Sequence, residues 1–325
     1  MVKQQGCDFN KELSDLNNNG PLNLYTVYGQ EDYLRDLFIS ELKKRCVGDE
    51  ESFGYYRYDG IPSLDALSTA IETFPFLTER SFIEIRNANI NKLSEDYISL
   101  FSSIPEFCTV CLICANDFEA DNRTKAIKYL KANSKYLIFE AQDTKKLVKW
   151  IQRRFNSLNK SISTEAAERL IFISGDLMNR LIPEIDKIAT YSNTSEITIQ
   201  DINDVANHIP ESDAFDLVNL LSNKKNDEAL VMLSDLLKQK NMEPIMIISA
   251  LSYQFRQLYG AKIGAMNERT DFRSKMVMQS ASKFSKKQLV NFVNSCAHME
   301  YNMKTSLYSD NDILINCIIE IITEK

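Results

Sequence analysis

Leu22-Asn23-Leu24-Tyr25-Thr26-Val27-Tyr28 reads as a strand, and Gly29-Gln30-Glu31-Asp32 carries it into a helix that begins near Tyr33. A P-loop ATPase places its phosphate cradle at this strand-to-helix turn. The cradle needs glycines so that backbone N–H groups can approach phosphate, a lysine for charge and a hydroxyl for Mg²⁺. The turn here has a single glycine, no lysine and no serine or threonine. Glu31 and Asp32 instead occupy the positive end of the coming helix dipole, where they compete with a phosphate and repel it. The chain opens like a nucleotide-binding α/β domain stripped of its nucleotide chemistry. Such a chain is expected to bind rather than to catalyse.

The strand–helix rhythm continues outward from this turn. Leu34, Leu37, Phe38 and Leu42 recur at helical spacing, and residues 53–58 alternate as a short strand up to the turn Asp59-Gly60. Ser63 caps a helix with Leu64, Leu67 and Ile71 on its apolar side, and Pro75 is expected to end it. Ser81-Phe82-Ile83-Glu84-Ile85 is a strand, followed by a helix over 93–101, a strongly apolar strand over 109–115, a helix over 122–130 and a strand over 136–139. Strands alternating with helices imply a mostly parallel sheet covered on both faces, ending near Gln142. Ahead of it, residues 1–21 are polar and read as a flexible lead-in closed by Asn17-Asn18-Asn19-Gly20-Pro21.

From Thr144 the pattern is helical. Leu147, Trp150, Ile151, Phe155 and Leu158 form one stripe, Ala167, Leu170 and Ile171 a second, and Leu177, Leu181, Ile185 and Ile188 a third. Thr198-Ile199-Gln200-Asp201 resembles a capping box before Ile202, Val205 and Ile209. Pro210-Glu211-Ser212 reads as a linker, and helices are expected over 215–221, 227–237, 244–262, 286–301 and 310–322. The expected organisation is an α/β domain over 1–142, a small helical domain over 143–211 and an all-α domain over 212–325.

Composition excludes several classes. The 325 residues suit two or three domains, and 44% hydrophobic with 26% charged residues is ordinary for a globular protein with a sizeable core. No run approaches the ~18 apolar residues of a membrane span, and Met1-Val2-Lys3-Gln4-Gln5-Gly6 lacks the basic-then-apolar start of a secretory signal. Seven irregularly spaced cysteines therefore read as reduced thiols of a cytoplasmic protein. A net charge of −7 argues against gripping nucleic acid alone, and the pairs Lys145-Lys146, Arg153-Arg154 and Lys224-Lys225 read as solvated helix faces. Two distant histidines, His208 and His298, leave little for a metal or acid–base site.

Cys108-Thr109-Val110-Cys111-Leu112-Ile113-Cys114 has a spacing met in iron–sulfur ligation. On a strand, however, Cys108 and Cys114 face one side and Cys111 the other, so the three thiolates do not converge, and buried strand cysteines are expected. The second ATPase element, an apolar strand ending in Asp-Glu, is replaced by Ile85 followed by Arg86-Asn87-Ala88, whose guanidinium repels Mg²⁺. Asn116 stands where a γ-phosphate sensor is often found and reads as a strand-end turn residue. No Ser-His-Asp or Cys-His grouping is apparent. The distinctive segment is Thr73-Phe74-Pro75-Phe76-Leu77-Thr78-Glu79-Arg80. Its large apolar residues either tuck beneath the sheet or form a hydrophobic knob at a loop apex, where a proline-fixed aromatic loses little entropy on docking.

Taken together these pieces resemble the bacterial DNA polymerase III clamp-loader delta subunit family over nearly the whole chain. The residues that carry the resemblance are Tyr28-Gly29-Gln30-Glu31-Asp32-Tyr33-Leu34, Tyr58-Asp59-Gly60, Phe74-Pro75-Phe76-Leu77-Thr78-Glu79-Arg80-Ser81-Phe82 and Asp121-Asn122-Arg123-Thr124-Lys125. Further on they are Gly175-Asp176-Leu177, Glu184-Ile185-Asp186-Lys187-Ile188-Ala189-Thr190-Tyr191, Phe215-Asp216-Leu217, Glu243-Pro244-Ile245 and Gln254-Phe255-Arg256. The resemblance implies a degenerate AAA+ module, a three-helix lid and a helical collar. It implies binding of the sliding clamp (the beta subunit) through Phe74, Pro75, Phe76 and Leu77, and opening of that ring. The collar is implied to join the gamma/tau and delta prime subunits, with primed DNA met only within the complex. No cofactor, metal or catalytic residue is implied, and polymerase activity attaches to such subunits only through the holoenzyme. The competing readings are an AAA+ ATPase with an unusual phosphate loop and a DNA-binding replication adaptor.

Overall fold

Five strands form one parallel sheet in the computed structural model, which describes residues 6–48, 53–239, 242–265, 272–305 and 308–323. In chain order the first region contains α1 (Phe9–Asn19), β1 (Leu24–Tyr28), α2 (Asp32–Val47), β2 (Tyr55–Asp59), α3 (Leu64–Glu72), β3 (Ser81–Arg86), α4 (Glu95–Ser102), β4 (Cys108–Ile113), α5 (Lys125–Asn133) and β5 (Lys135–Ile138). The sheet order is β2-β3-β4-β1-β5. In register, Leu24 faces Val110, Tyr25 faces Lys135 and Ile83 faces Val110. The three inner strands are buried along almost their whole length, as strands covered on both faces must be, while the edge strands β2 and β5 are partly exposed. On one face Ile83, Ile85, Cys108, Val110, Leu112 and Cys114 pack against Leu67, Ile71, Ile127 and Leu130 of the helices.

The chain forms two compact units, residues 1–142 with 177–179, and 143–176 with 180–325. The second is almost wholly helical: α6 (Thr144–Ser157), β6 (Ser161–Ile162), α7 (Thr164–Ser174), α8 (Met178–Tyr191), β7 (Glu196–Ile197), α9 (Ile199–Val205) and α10 (Pro210–Ser222). It continues with α11 (Asn226–Lys238), α12 (Pro244–Lys262), α13 (Phe272–Ser282), α14 (Lys286–Thr305) and α15 (Asp310–Thr323). Thr198 and Asp201 close a reciprocal capping box at α9. Leu251, Phe255, Phe292, Leu314 and Ile318 lie at the centre of the C-terminal core, with the Phe255 and Phe292 rings 5.1 Å apart. Among the described residues no helix is long and apolar enough to cross a membrane.

Two sequence expectations are corrected here. The polar lead-in is not flexible throughout, because α1 lies within it: Asp8 accepts the N–H groups of Asn10 and Lys11, Leu16 is buried, and the Cys7 N–H donates to Ile138 O at 2.8 Å. Pro210-Glu211-Ser212 is not a linker but the first turn of α10, where a proline's missing N–H costs nothing, and Ser212 and Asp213 are buried. The helix α13 and the two-residue pairing of β6 with β7 had no expectation at all. Elsewhere the ends differ by a few residues. α3 stops at Glu72, with Pro75 two residues beyond its C-cap Thr73.

Candidate functional site

The strand-to-helix turn after β1 is filled by the protein's own groups. Gly29 has a φ of +125°, and a Cβ there would meet the carbonyl oxygen of Phe139 at 2.1 Å. This glycine admits the neighbouring chain after β5 rather than a phosphate. Glu31, at the N-cap of α2, is fully buried. Arg35 lies one turn further on and is buried as well. Its Nη2 pairs with Asp32 Oδ1 at 2.9 Å and its Nη1 donates to Asn116 Oδ1 at 2.6 Å. Asn116 Nδ2 donates in turn to Asp32 Oδ2 at 2.8 Å. Asn116 is thus more than the turn residue its position suggested: it closes a triangle with Asp32 and Arg35.

The end of β3 is equally occupied. Arg86 pairs with Glu84 and lies 3.4 Å from Asp36 Oδ1, while the buried Glu84 accepts the Tyr55 hydroxyl at 2.7 Å. Burial and the Glu84 carboxylate push the Tyr55 hydroxyl up to about 12. A nucleoside triphosphate needs donors and Mg²⁺-binding carboxylates at these two places. They hold carboxylates at the phosphate position and a guanidinium at the metal position, so the residues present do not fit a nucleotide.

The other candidate lies between α3 and β3. Phe74, Phe76 and Leu77 are 71%, 92% and 53% exposed, so none belongs to the core, whereas Pro75 is buried. Phe74 rests edge-on against Phe107, ring centroids 5.0 Å apart. Thr78 Oγ1 donates to Arg80 O at 2.9 Å, and Gly54 packs so closely that a Cβ there would stand 2.8 Å from that hydroxyl. Arg80 pins the far end of the loop. Its Nη2 donates to Asn23 Oδ1 at 2.6 Å and Cys108 O at 3.4 Å, and its Nε to Thr109 Oγ1 at 3.3 Å. The apolar apex is held from both flanks. Leu22 and Phe53, read from the sequence only as the first residues of strands, are about half exposed.

The strand cysteines divide as their spacing requires. Cys108 and Cys114 join the core on one face with Val110 and Leu112, and Cys111 is buried outside that cluster. All are free thiols, and burial pushes Cys114 up to about 12 and Cys111 well above its ordinary value. Among the described residues no group of three or more histidine, cysteine or carboxylate side chains is placed to hold a metal ion.

Two family models match the chain. One, DNA polymerase III, delta subunit, spans residues 25–142, and the other, the C-terminal domain of the DNA polymerase III delta subunit, spans 211–321. The DNA polymerase III subunit delta of Bacillus subtilis (strain 168) is 31% identical over 305 residues, covering 87% of this chain and 88% of that protein. The chain belongs to the DNA polymerase III delta subunit family. The solved Bacillus subtilis DNA clamp loader delta protein (YqeN) overlays with a TM-score of 0.60 at 26% identity, covering 98% of this chain and 100% of that one. AMPPCP-bound DnaA from Aquifex aeolicus overlays more loosely, with a TM-score of 0.43 at 12% identity over 96% of this chain and 92% of that one. As a family member the chain is a clamp-loader delta subunit, with a parallel α/β domain followed by helical regions.

Proposed function

We propose that this delta subunit docks the loop 74–77 into a pocket of the sliding clamp, the beta subunit, and holds the ring open at one interface while primed DNA is loaded. Phe76 carries the reading: a phenylalanine 92% exposed at the apex of a loop whose C-terminal flank is hydrogen-bonded in place and whose N-terminal flank rests on Phe107. A rigid loop gives up little conformational freedom on docking, so the burial of its apex appears largely as affinity. Phe76 and Leu77 are the docking anchors. Phe74 and Pro75 form the base, since one rests on Phe107 and the other is already buried. Two anchors fully buried are worth ~1.5–3 kcal/mol each. Ring opening requires that this energy be realised more fully in the open clamp than in the closed one.

Nucleotide turnover falls to other subunits, because the turn after β1 and the end of β3 are filled by Glu31, Arg35 and Arg86. Residues 1–142 form the clamp-binding domain, 143–211 the lid and 212–325 the collar that joins the gamma/tau and delta prime subunits, all in the cytoplasm. Calorimetry of the full chain against its host's clamp tests the docking. A Phe76→Ala/Leu77→Ala variant is expected to lose about thirtyfold in affinity per anchor, ~2 kcal/mol each. A folded double variant with unchanged clamp affinity overturns the assignment.

A further inference from the structure

Glu31 is wholly buried, and its carboxylate does not serve the helix it begins. It stands at the N-cap of α2, yet its side chain makes no capping hydrogen bond there. Ser63, Thr124, Asp143, Ser163 and Thr198 each accept the N–H three residues on, capping the helix they precede. Glu31 Oε2 instead accepts the backbone N–H of Met178, the first residue of α8, at 3.2 Å and 147 positions away in sequence. Beside it Asp32 Oδ2 accepts Asn179 Nδ2 at 3.4 Å. Met178 is buried too. Residues 177–179 belong to the α/β unit, while the remainder of α8 is assigned to the helical one.

Burying a carboxylate is costly unless its partners offset the lost hydration. A helix N-terminus is such a partner, because its first N–H groups have no acceptor within the helix and its dipole end is positive. The backbone holds the carboxylate in place: the Glu31 N–H donates to Phe139 O at 3.0 Å, and the Glu31 carbonyl accepts the Arg35 N–H at 3.2 Å. A strand-to-helix turn of this kind is where nucleotide-binding domains hold a phosphate on backbone N–H groups. We propose that Glu31 is a built-in anion, whose carboxylate anchors the start of α8 in the α/β unit as a bound phosphate could, and does so independently of any nucleotide. Glu31 is a positioning residue in this role. A side chain that merely filled the space would need no charge, and an apolar one would fill it without the cost of burying a carboxylate. A cap for α2 would turn the carboxylate back on its own helix, which it does not do.

The anchor and the docking loop lie at opposite edges of the sheet. In a parallel sheet all strands begin at one edge and end at the other; the loop 74–77 precedes β3, whereas Glu31 follows β1. Clamp affinity should therefore be unchanged by substitution of Glu31. The test is amide hydrogen exchange of the full chain, resolved to single residues and read at Met178. Loss of a hydrogen bond to a charged acceptor should make this amide exchange about tenfold to a hundredfold faster in Glu31→Ala. Acetate restores the missing carboxylate, so excess acetate should recover most of the protection, and chloride at the same ionic strength should not. Glu31→Gln keeps the shape and an acceptor oxygen but loses the charge, so its Met178 amide should exchange several-fold faster, with no response to acetate. The parent should respond to neither acetate nor Mg·ATP. Parent-like protection in Glu31→Gln overturns the proposal by reducing Glu31 to a space-filling side chain. A folded Glu31→Ala that acetate protects no better than chloride overturns it as well, as does a parent whose Met178 amide is slowed by Mg·ATP. If Glu31→Ala does not fold, the Glu31→Gln amide decides alone. Clamp calorimetry keeps this inference apart from the docking one. Parent-like Met178 protection in Glu31→Gln refutes only the anchor, and unchanged clamp binding by the Phe76 and Leu77 variants refutes only the knob.

Discussion

Phe76→Ala should leave the stability of the α/β unit unchanged, whereas Phe74→Ala, two residues away, should lower it. Phe76 is 92% exposed, so less than a tenth of a phenylalanine's burial is at stake, about 0.1–0.3 kcal/mol. Phe74 is 71% exposed and keeps about three tenths of that burial, roughly 0.4–0.9 kcal/mol. Its edge-to-face pair with Phe107 adds about 0.5–1.5 kcal/mol, for a total near 1–2 kcal/mol. Because the chain has two units, one unfolding curve can blend two transitions. The suitable assay is native-state hydrogen exchange, comparing the slowest amides of β4 in parent and variants. A core phenylalanine cut to alanine costs about 3–5 kcal/mol. A loss of that size for Phe76→Ala would place the ring in the core and rule out an exposed apex.

Arg80→Ala removes the hydrogen bonds to Asn23, Thr109 and the Cys108 carbonyl that pin the loop, and should weaken clamp binding several-fold by raising the ordering cost of docking; calorimetry checks it, and full affinity would show that loop rigidity is unimportant. Mg·ATP should give no binding heat with the isolated chain, since Glu31 and Arg86 stand where phosphate and metal would sit, and micromolar affinity would contradict that geometry. Burial raises the Cys46 thiol from 9.0 to about 11 and Cys114 to about 12, so the folded state holds these protons more tightly. Their stabilising contribution is complete below pH 9 and fades as pH rises through about 11 to 12; urea midpoints at pH 8 and pH 10 should fall in that order.

The inner strands were legible because a strand buried on both faces is a continuous apolar run, and β1, β3 and β4 are such runs. α1 was hidden because Asn17-Asn18-Asn19 favours turns over helix and Leu16 is its buried anchor. Pro210 misled because proline breaks a helix interior yet suits its first residue, and only packing tells the two apart. α13, read as FRSKMVMQSAS, lacks an apolar stripe long enough to announce itself. At the site, the turn's lost phosphate chemistry was visible locally, but the Arg35–Asn116–Asp32 triangle joins residues 81 and 84 apart and exists because β4 lies beside β1. Likewise the apolar loop was conspicuous in sequence, while the division of Phe74 from Phe76 depends on Phe107, a distant neighbour on the approach to β4.

Ring opening is a mechanical act, read as separation of the two sides of one clamp interface. A fluorescent pair placed across one interface of the host's sliding clamp reports separation when the full-length chain is added without nucleotide. The parent chain should separate the pair, Phe76→Ala/Leu77→Ala should fold normally but leave it closed, and added ATP should change neither result. A double variant that opens the clamp as well as the parent, or a parent chain that opens it only with ATP, would overturn the assignment of nucleotide-free ring opening to this loop.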